Sequence, residues 1–207
     1  MILDQFFVFE GLDGAGTTTQ ARLLADRLTQ EGFVIDLDCE PTSGPIGALI
    51  RAVLRGEQTV HPCTLAHLFA ADRHEHVYGD ESGILARIKR GRTIISDRYV
   101  YSSLAYQGIS CGETAVSRLN SGFPDPRHIF YLEVPVETCL KRISGRNQVE
   151  LFDKQQFLTK VSAHYDTVLE EAVSRGAQVH RLDGTLAREK IAAEVSSIIA
   201  NSPIHRM

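Results

Sequence analysis

Five short apolar runs alternate along the chain with longer segments whose apolar positions recur at helical spacing. The runs are Phe6–Phe9, Phe33–Leu37, Thr93–Ser96, Ile129–Val134 and Gln178–Leu182. The helical patterns fall near 17–30, 46–55, 63–90, 103–121, 136–144, 153–175 and 186–200. Short apolar runs between polar segments fit strands buried on both faces. Their alternation with helices predicts an α/β fold, a parallel sheet with helices on both faces. The Pro-bearing stretch Ser121–Arg127 is expected to be a loop. The chain shows no internal repeat, low-complexity tract or linker, so residues 1–207 are expected to form one domain, with or without a lid.

Composition narrows the class. Apolar residues make up 43% and charged residues 23%, ordinary values for a soluble globular protein. A net charge of -4 argues against a general nucleic-acid surface. Asp4 precedes only a short apolar run, so no secretion signal is expected, and no stretch has the roughly 20 apolar residues of a membrane span. The cysteines Cys39, Cys63, Cys111 and Cys139 stand far apart without C-x-x-C spacing, which fits a reducing compartment and argues against a zinc site. A cytoplasmic location is expected.

The stretch after the first run carries the chemistry. Gly11, Gly14 and Gly16 follow the apolar residues at once, and Thr17 and Thr18 open a helix with Leu23, Leu24 and Leu28 on one face. Strand, glycine loop and helix N-terminus form a phosphate cradle: backbone N–H groups approach the oxygens and the helix dipole adds positive potential. Gly11, Gly16 and Thr18 match the P-loop pattern G-x-x-x-x-G-K-[ST], but Thr17 stands in place of its Lys. A plain glycine-rich turn is the alternative, and a Rossmann loop fits worse because Thr19 stands where a third Gly is needed.

In an open parallel sheet the ligand sits beyond the carboxyl ends of the strands. Three expected strands end in charged or polar groups there: the loop with Asp13, then Glu40 and Pro41, then Asp97 and Arg98. Asp97 beside a P-loop has the placement of a Walker-B carboxylate that holds Mg²⁺; the alternative is an ion pair with Arg98 or Arg92. The Arg98 guanidinium suits a phosphoryl group. Phe69 and Arg73 are four apart on one helix face, where a ring and a fork of donors can stack on a base and read its edge. A core position is the alternative for Phe69. His74 and His76 point differently on a helix and are not read as a metal site. Tyr106 and Gln107 could line a sugar or base pocket, against a reading of the segment as a loop capped by Ser102 or Ser103. The polar stretch 142–150, with Gly145, reads as a lid carrying Arg146 over the phosphates, with Arg142 in the last turn before it; charge compensation of a helix end is the alternative for either Arg.

Taken together these stretches resemble thymidylate kinase, a nucleoside-monophosphate kinase of the P-loop class. The resemblance rests on Glu10-Gly-Leu-Asp-Gly-Ala-Gly16, Glu40-Pro-Thr, Phe69-Ala-Ala-Asp-Arg73, Asp97-Arg-Tyr, Ser102-Ser-Leu-Ala-Tyr-Gln-Gly108, Tyr131-Leu-Glu-Val-Pro135, and Glu150 followed by Phe152. It runs in order from about residue 5 to about 185 and implies a five-stranded parallel sheet with a short lid near 142–152. It further implies a homodimer and Mg²⁺-dependent transfer of the ATP γ-phosphoryl group to dTMP. Carried over, Gly11, Asp13, Gly14, Ala15, Gly16, Thr17 and Thr18, with Arg142, would hold ATP, and Thr18 and Asp97 the metal. Glu40, Pro41, Arg51, Phe69, Arg73, Arg98, Ser102, Tyr106, Gln107 and Glu150 would bind dTMP, with Phe69 stacked on the base and Tyr106 against the deoxyribose. Asp13, Asp97, Arg98 and Arg146 would serve catalysis.

Two departures stand out. Thr17 replaces the P-loop Lys, and Cys39 replaces an Arg that often precedes Glu-Pro in the family. Gly14 also stands where some members carry an Arg, which directs attention to the lid arginines. Losing one preorganised donor costs roughly 3–4 kcal/mol in the transition state, which Arg98 and Arg146 would offset in part. The alternatives are a nucleotide-binding sensor without useful catalysis, or a kinase for another pyrimidine nucleotide.

Overall fold

Four consecutive fully buried residues, Phe6, Phe7, Val8 and Phe9, form the centre of the first strand, β1 (Ile2–Gly11). The computed structural model describes residues 1–143, 148–200 and 202, without the side chains of residues 148–152. The other strands are β2 (Ile35–Cys39), β3 (Thr93–Asp97), β4 (Asp125–Glu133) and β5 (Gln178–Asp183). They form a five-stranded sheet in the order β2-β3-β1-β4-β5, and every pairing is parallel. Parallel neighbours require crossovers, and the helices between the strands supply them. Helix α1 (Thr17–Gln30) packs on β1, β2 and β3 and on the last helix, α9 (Arg188–Ile199). A second group is formed by α3 (Pro62–Tyr78), α5 (Val100–Cys111), α6 (Glu113–Asn120) and α8 (Gln148–Ser174). Of the remaining helices, α2 (Pro45–Leu54) and α4 (Ile84–Lys89) pack on α3, and α7 (Val136–Ile143) packs on α8.

Rings fill the space between β1 and its neighbours. Phe9 stacks on Phe130 at 5.0 Å, and Phe6 meets Tyr99 edge-on at 4.9 Å. Edge strand β2 is only partly buried, and its Asp36 and Asp38 pair with Arg87 and Arg92. Charged side chains of this kind keep an exposed edge from pairing with another chain.

Three expectations are corrected. The helix expected over 63–90 is two helices, interrupted where Gly79 and Gly83 sit so close to the chain that a Cβ would lie 2.7 Å from the Glu75 carbonyl and 2.5 Å from the Gly79 carbonyl. The segment 103–121 likewise divides at Gly112, whose φ of 102° is left-handed. Residues 125–127, expected in a loop, begin β4, where the Asp125 amide donates to Met1 O at 2.9 Å and its carboxylate pairs with Arg175. The cysteines, far apart in sequence, are not all apart in space: Cys63 at the start of α3 and Cys111 at the end of α5 form a disulfide. Among the described residues no helix is long and apolar enough to cross a membrane.

Candidate active site

The register of the sheet assembles the site. Phe9 pairs with Asp97 and Cys39 pairs with Asp97 from the other side, so the ends of β1, β2 and β3 stand level. Their continuations are the glycine loop, the Glu40–Pro41 turn and Arg98. A cavity of about 330 Å³ opens beyond them, lined among others by Asp13, Glu40, Pro41, Arg51, Phe69, Arg73, Asp97, Arg98, Ser102, Tyr106 and Gln107. That volume suits a small organic ligand.

At one end stands the glycine loop. Gly11, Gly14 and Gly16 all have positive φ, and Gly16 precedes α1 as its N-cap. Non-glycine residues would resist this backbone. Thr18 Oγ1 donates to Asp97 Oδ2, while Asp97 Oδ1 is buried and has no hydrogen-bond partner among the described residues. Buried carboxylate oxygens are rarely left unpaired. An unpaired carboxylate oxygen next to a threonine hydroxyl fits a hard divalent cation, which prefers oxygen ligands. Thr17 is buried at 5% exposure, in the position where the P-loop pattern has its cation. Arg142 donates to the carbonyls of Gly14 and Ala15 at 3.2 Å and to Gly184 at 3.1 Å, tying the loop to the segment after β5.

Arg98 faces the middle of the cavity. Its Nη2 donates to Asp13 Oδ1 at 2.8 Å, and its Nη1 donates to Gly11 O and Ser102 Oγ, each at 3.0 Å. The guanidinium lies 5.7 Å from the centre of the Tyr106 ring, and the Tyr106 hydroxyl accepts from the Asp13 amide at 3.0 Å. Arg98, Tyr106 and the loop are thus one connected unit.

At the other end a half-buried Phe69 lines the cavity, outside the hydrophobic core. Arg73 is 1% exposed, and its donors go to Glu40, Asn120 and Ser103. Glu40 is also buried, and its second oxygen meets His76 Nδ1 at 2.9 Å. The Glu40 carboxylate therefore faces Arg73 and His76, while Asp13 and Asp97 stand at the phosphate end. Arg51 donates to Pro41 O at 3.0 Å and to Thr42 O, bracing that turn from α2. Ser102 donates to Glu10 at 2.6 Å. Arg146 lies outside the described residues, as does the Glu150 side chain.

Sequence reasoning did not anticipate His76, Asp38, Ser103, Asn120 or Tyr165 as parts of this framework. His76 Nε2 meets Asp38 Oδ2 at 2.8 Å, so the imidazole bridges two carboxylates. Burial alone would lower its pKa, but the bonds to Asp38 and Glu40 raise it to about 9. Burial alone would raise Asp38, but His76 and Arg87 hold it at about 2. The folded pKa of His76 lies above its unfolded value, so this contribution is complete below about pH 6.5 and is lost as the pH rises through about 9. The unfolding free energy is expected to fall by on the order of 3 kcal/mol between those limits, and His76→Gln is expected to flatten that slope. Urea titrations across this pH range check it. The Asp38 contribution is present above pH 3.8 and is lost as the pH falls through about 2.

A family model described as thymidylate kinase matches residues 9–195, which is most of the chain. The chain belongs to the thymidylate kinase family. A relative from Treponema pallidum (strain Nichols) that carries the thymidylate kinase name is 43% identical over 168 residues, 81% of this chain and 80% of that protein. Another of that name, from Aeropyrum pernix, is 41% identical over 176 residues, 84% of this chain and 83% of that one. A third, from Methanocaldococcus jannaschii, is 38% identical over 172 residues, 83% and 85% of the two chains. For a member of the thymidylate kinase family, the five-stranded parallel sheet and the glycine loop are the P-loop kinase scaffold.

Proposed function

We propose that this chain transfers the γ-phosphoryl group of ATP to the phosphate of dTMP, giving dTDP and ADP, with Mg²⁺ held by Thr18 and Asp97. The observation that carries the reading is the cavity itself, with a half-buried Phe69 beside Arg73 at one end and Asp13, Asp97 and Arg98 at the other. When bound, Mg²⁺ neutralises charge on the β- and γ-phosphates. The glycine loop and the N-terminus of α1 orient those phosphates through backbone N–H groups. Arg98 holds the acceptor phosphate in line, and its fork suits two oxygens at once. Phosphoryl transfer needs little else beyond positioning and charge. The lid with Arg146 and Glu150, the homodimer and the cytoplasmic location belong to the same proposal; light scattering of the purified chain tests the dimer.

A Phe69 ring that stacks on the base is worth about 1–3 kcal/mol. Phe69→Ala is expected to raise the KM for dTMP roughly tenfold with kcat changed far less, as steady-state kinetics at saturating ATP will read. A binding-only role motivated by Thr17 is not favoured, because Asp13, Asp97, Arg98 and Tyr106 stand together at one cavity. Thr17→Lys is expected to raise kcat roughly tenfold, about 1.4 kcal/mol, and to change the dTMP KM less; an unchanged or lower kcat would count against this placement of the phosphates. The acceptor assignment is tested by ADP formation with dTMP, dUMP, UMP, CMP and AMP. Preference for dTMP is expected, with Tyr106 against the deoxyribose disfavouring a 2′-hydroxyl; equal rates with UMP would remove Tyr106 from that role.

A further inference from the structure

Glu10 is a fully buried carboxylate near the end of β1, and the reaction as described makes no use of it. It accepts four hydrogen bonds: from the Tyr99 amide at 2.9 Å, the Ser102 amide at 3.2 Å, the Ser102 hydroxyl at 2.6 Å and the Tyr165 hydroxyl at 2.9 Å. Tyr99 is the N-cap of α5 and contributes no side-chain cap, so the carboxylate from β1 caps this helix instead.

The residue before Tyr99 is Arg98. Among the described residues it is the one non-glycine residue with a positive φ, at 72°. Left-handed backbone is unfavourable for an L-residue and persists where its surroundings fix it. The surroundings here are the Arg98 amide on Phe9 O at 2.9 Å, the Ser96 hydroxyl on Arg98 O at 2.7 Å, and the Tyr99 amide on Glu10. The side chain is held by the same group at one remove. The Ser102 hydroxyl donates to Glu10 and accepts from Arg98 Nη1.

We propose that Glu10 is a positioning residue for phosphoryl transfer, its negative charge fixing the aim of Arg98 through the Tyr99 amide and the Ser102 hydroxyl. The inference rests on the kinase reading of the site. Groups facing this carboxylate are Arg98 from the turn after β3, Tyr99 and Ser102 from α5, and Tyr165 from α8. Tyr106 and Asp13 flank Arg98, and Tyr131 on β4 stands opposite Glu10 in register. The tyrosines are all raised in pKa by burial, and Arg98 stays charged, so Glu10 is the member of this group that titrates near neutrality. Burial lifts its pKa to about 7, and the nearby Arg98 charge together with the bonds from the Ser102 and Tyr165 hydroxyls and the Tyr99 amide limits the rise.

The test is the pH profile of kcat for the native chain and for Glu10→Gln, which keeps the shape and removes the charge. The phosphates of dTMP and ATP titrate in the same range, so the ratio of the two kcat values is read at each pH. The ratio is expected to be roughly ten at pH 8.5 and to approach one near pH 5.5, as protonation makes Glu10 neutral in the native chain too. A ratio that is constant with pH, or close to one throughout, would overturn the proposal. Tyr165→Phe supplies a second reading that does not depend on Glu10→Gln folding: it removes one donor to the anion, and its hydroxyl also lies 2.9 Å from Ser102 Oγ. Its acid limb is expected at higher pH than in the native chain, because the anion has lost a donor, and an unmoved limb would count against the proposal. Absence of phosphoryl transfer by the native chain at every pH would instead strike the kinase reading itself.

Discussion

Arg98→Met is expected to lower kcat/KM for dTMP by about 10³, roughly 4 kcal/mol of lost transition-state stabilisation. Methionine keeps much of the apolar stem and removes the fork. Three contacts go with it: the pair with Asp13 at 2.8 Å and the bonds to Gly11 O and Ser102 Oγ at 3.0 Å. The loss falls where charge moves between phosphates, so kcat is expected to drop along with kcat/KM, and KM alone does not account for it. Arg98→Lys is expected to recover only part of the rate, because a point charge on a flexible stem cannot engage two oxygens as a planar fork does. Stopped or steady-state assays with both variants, beside circular dichroism to verify folding, decide the matter. A loss below about tenfold would take Arg98 out of the reaction centre.

Asp97→Asn is expected to lower kcat by about 10²–10³. It is also expected to raise the Mg²⁺ concentration for half-maximal rate by roughly 10–100-fold, the scale of effect seen when a metal site loses part of its ligand shell. The argument stands on Asp97 Oδ1, buried without a partner among the described residues, and on Oδ2, which accepts from Thr18. An amide supplies one acceptor oxygen and no charge. The measurement is a Mg²⁺ titration of the rate at fixed ATP. A fall in kcat with the Mg²⁺ dependence unchanged would show that the carboxylate serves the loop alone.

Much of this could be seen in the sequence for physical reasons. Phe6–Phe9 reads as a strand because a central parallel strand is buried on both faces. The charged residues after β1 and β3 stand out because the runs before them are apolar and buried, whereas the edge strand β2 carries Asp36 and Asp38 along its length. The boundaries that failed depend on distant partners. Asp125 looks like loop beside Pro126, yet Tyr101 and Arg175 hold it in β4, and Pro126 lies near the strand start, where a missing amide is tolerated. The break in 63–90 lies in two glycines whose backbone packs too closely for a Cβ, and spacing alone does not show that.

The site divides in the same way. Phe69 and Arg73 share a helix face at a spacing of four, but what Arg73 does depends on Glu40, Ser103 and Asn120, which are 33, 30 and 47 residues away. In the proposed base pocket, a guanidinium so occupied would serve as frame as much as donor. The Cys63–Cys111 pair, 48 residues apart, left no local pattern either. Glu10 directly follows the apolar run Phe6–Phe9, and nothing local in the sequence shows that its carboxylate is fully buried.

The central claim is that a chain with Thr17 in the lysine position transfers a phosphoryl group to dTMP. The most direct measurement is label transfer from γ-labelled ATP with Mg²⁺ to dTMP, the product separated and identified. Labelled dTDP formed in stoichiometry with ADP, in repeated turnovers, is the predicted result. ATP and dTMP both bound, with no label leaving ATP for any monophosphate, would contradict it.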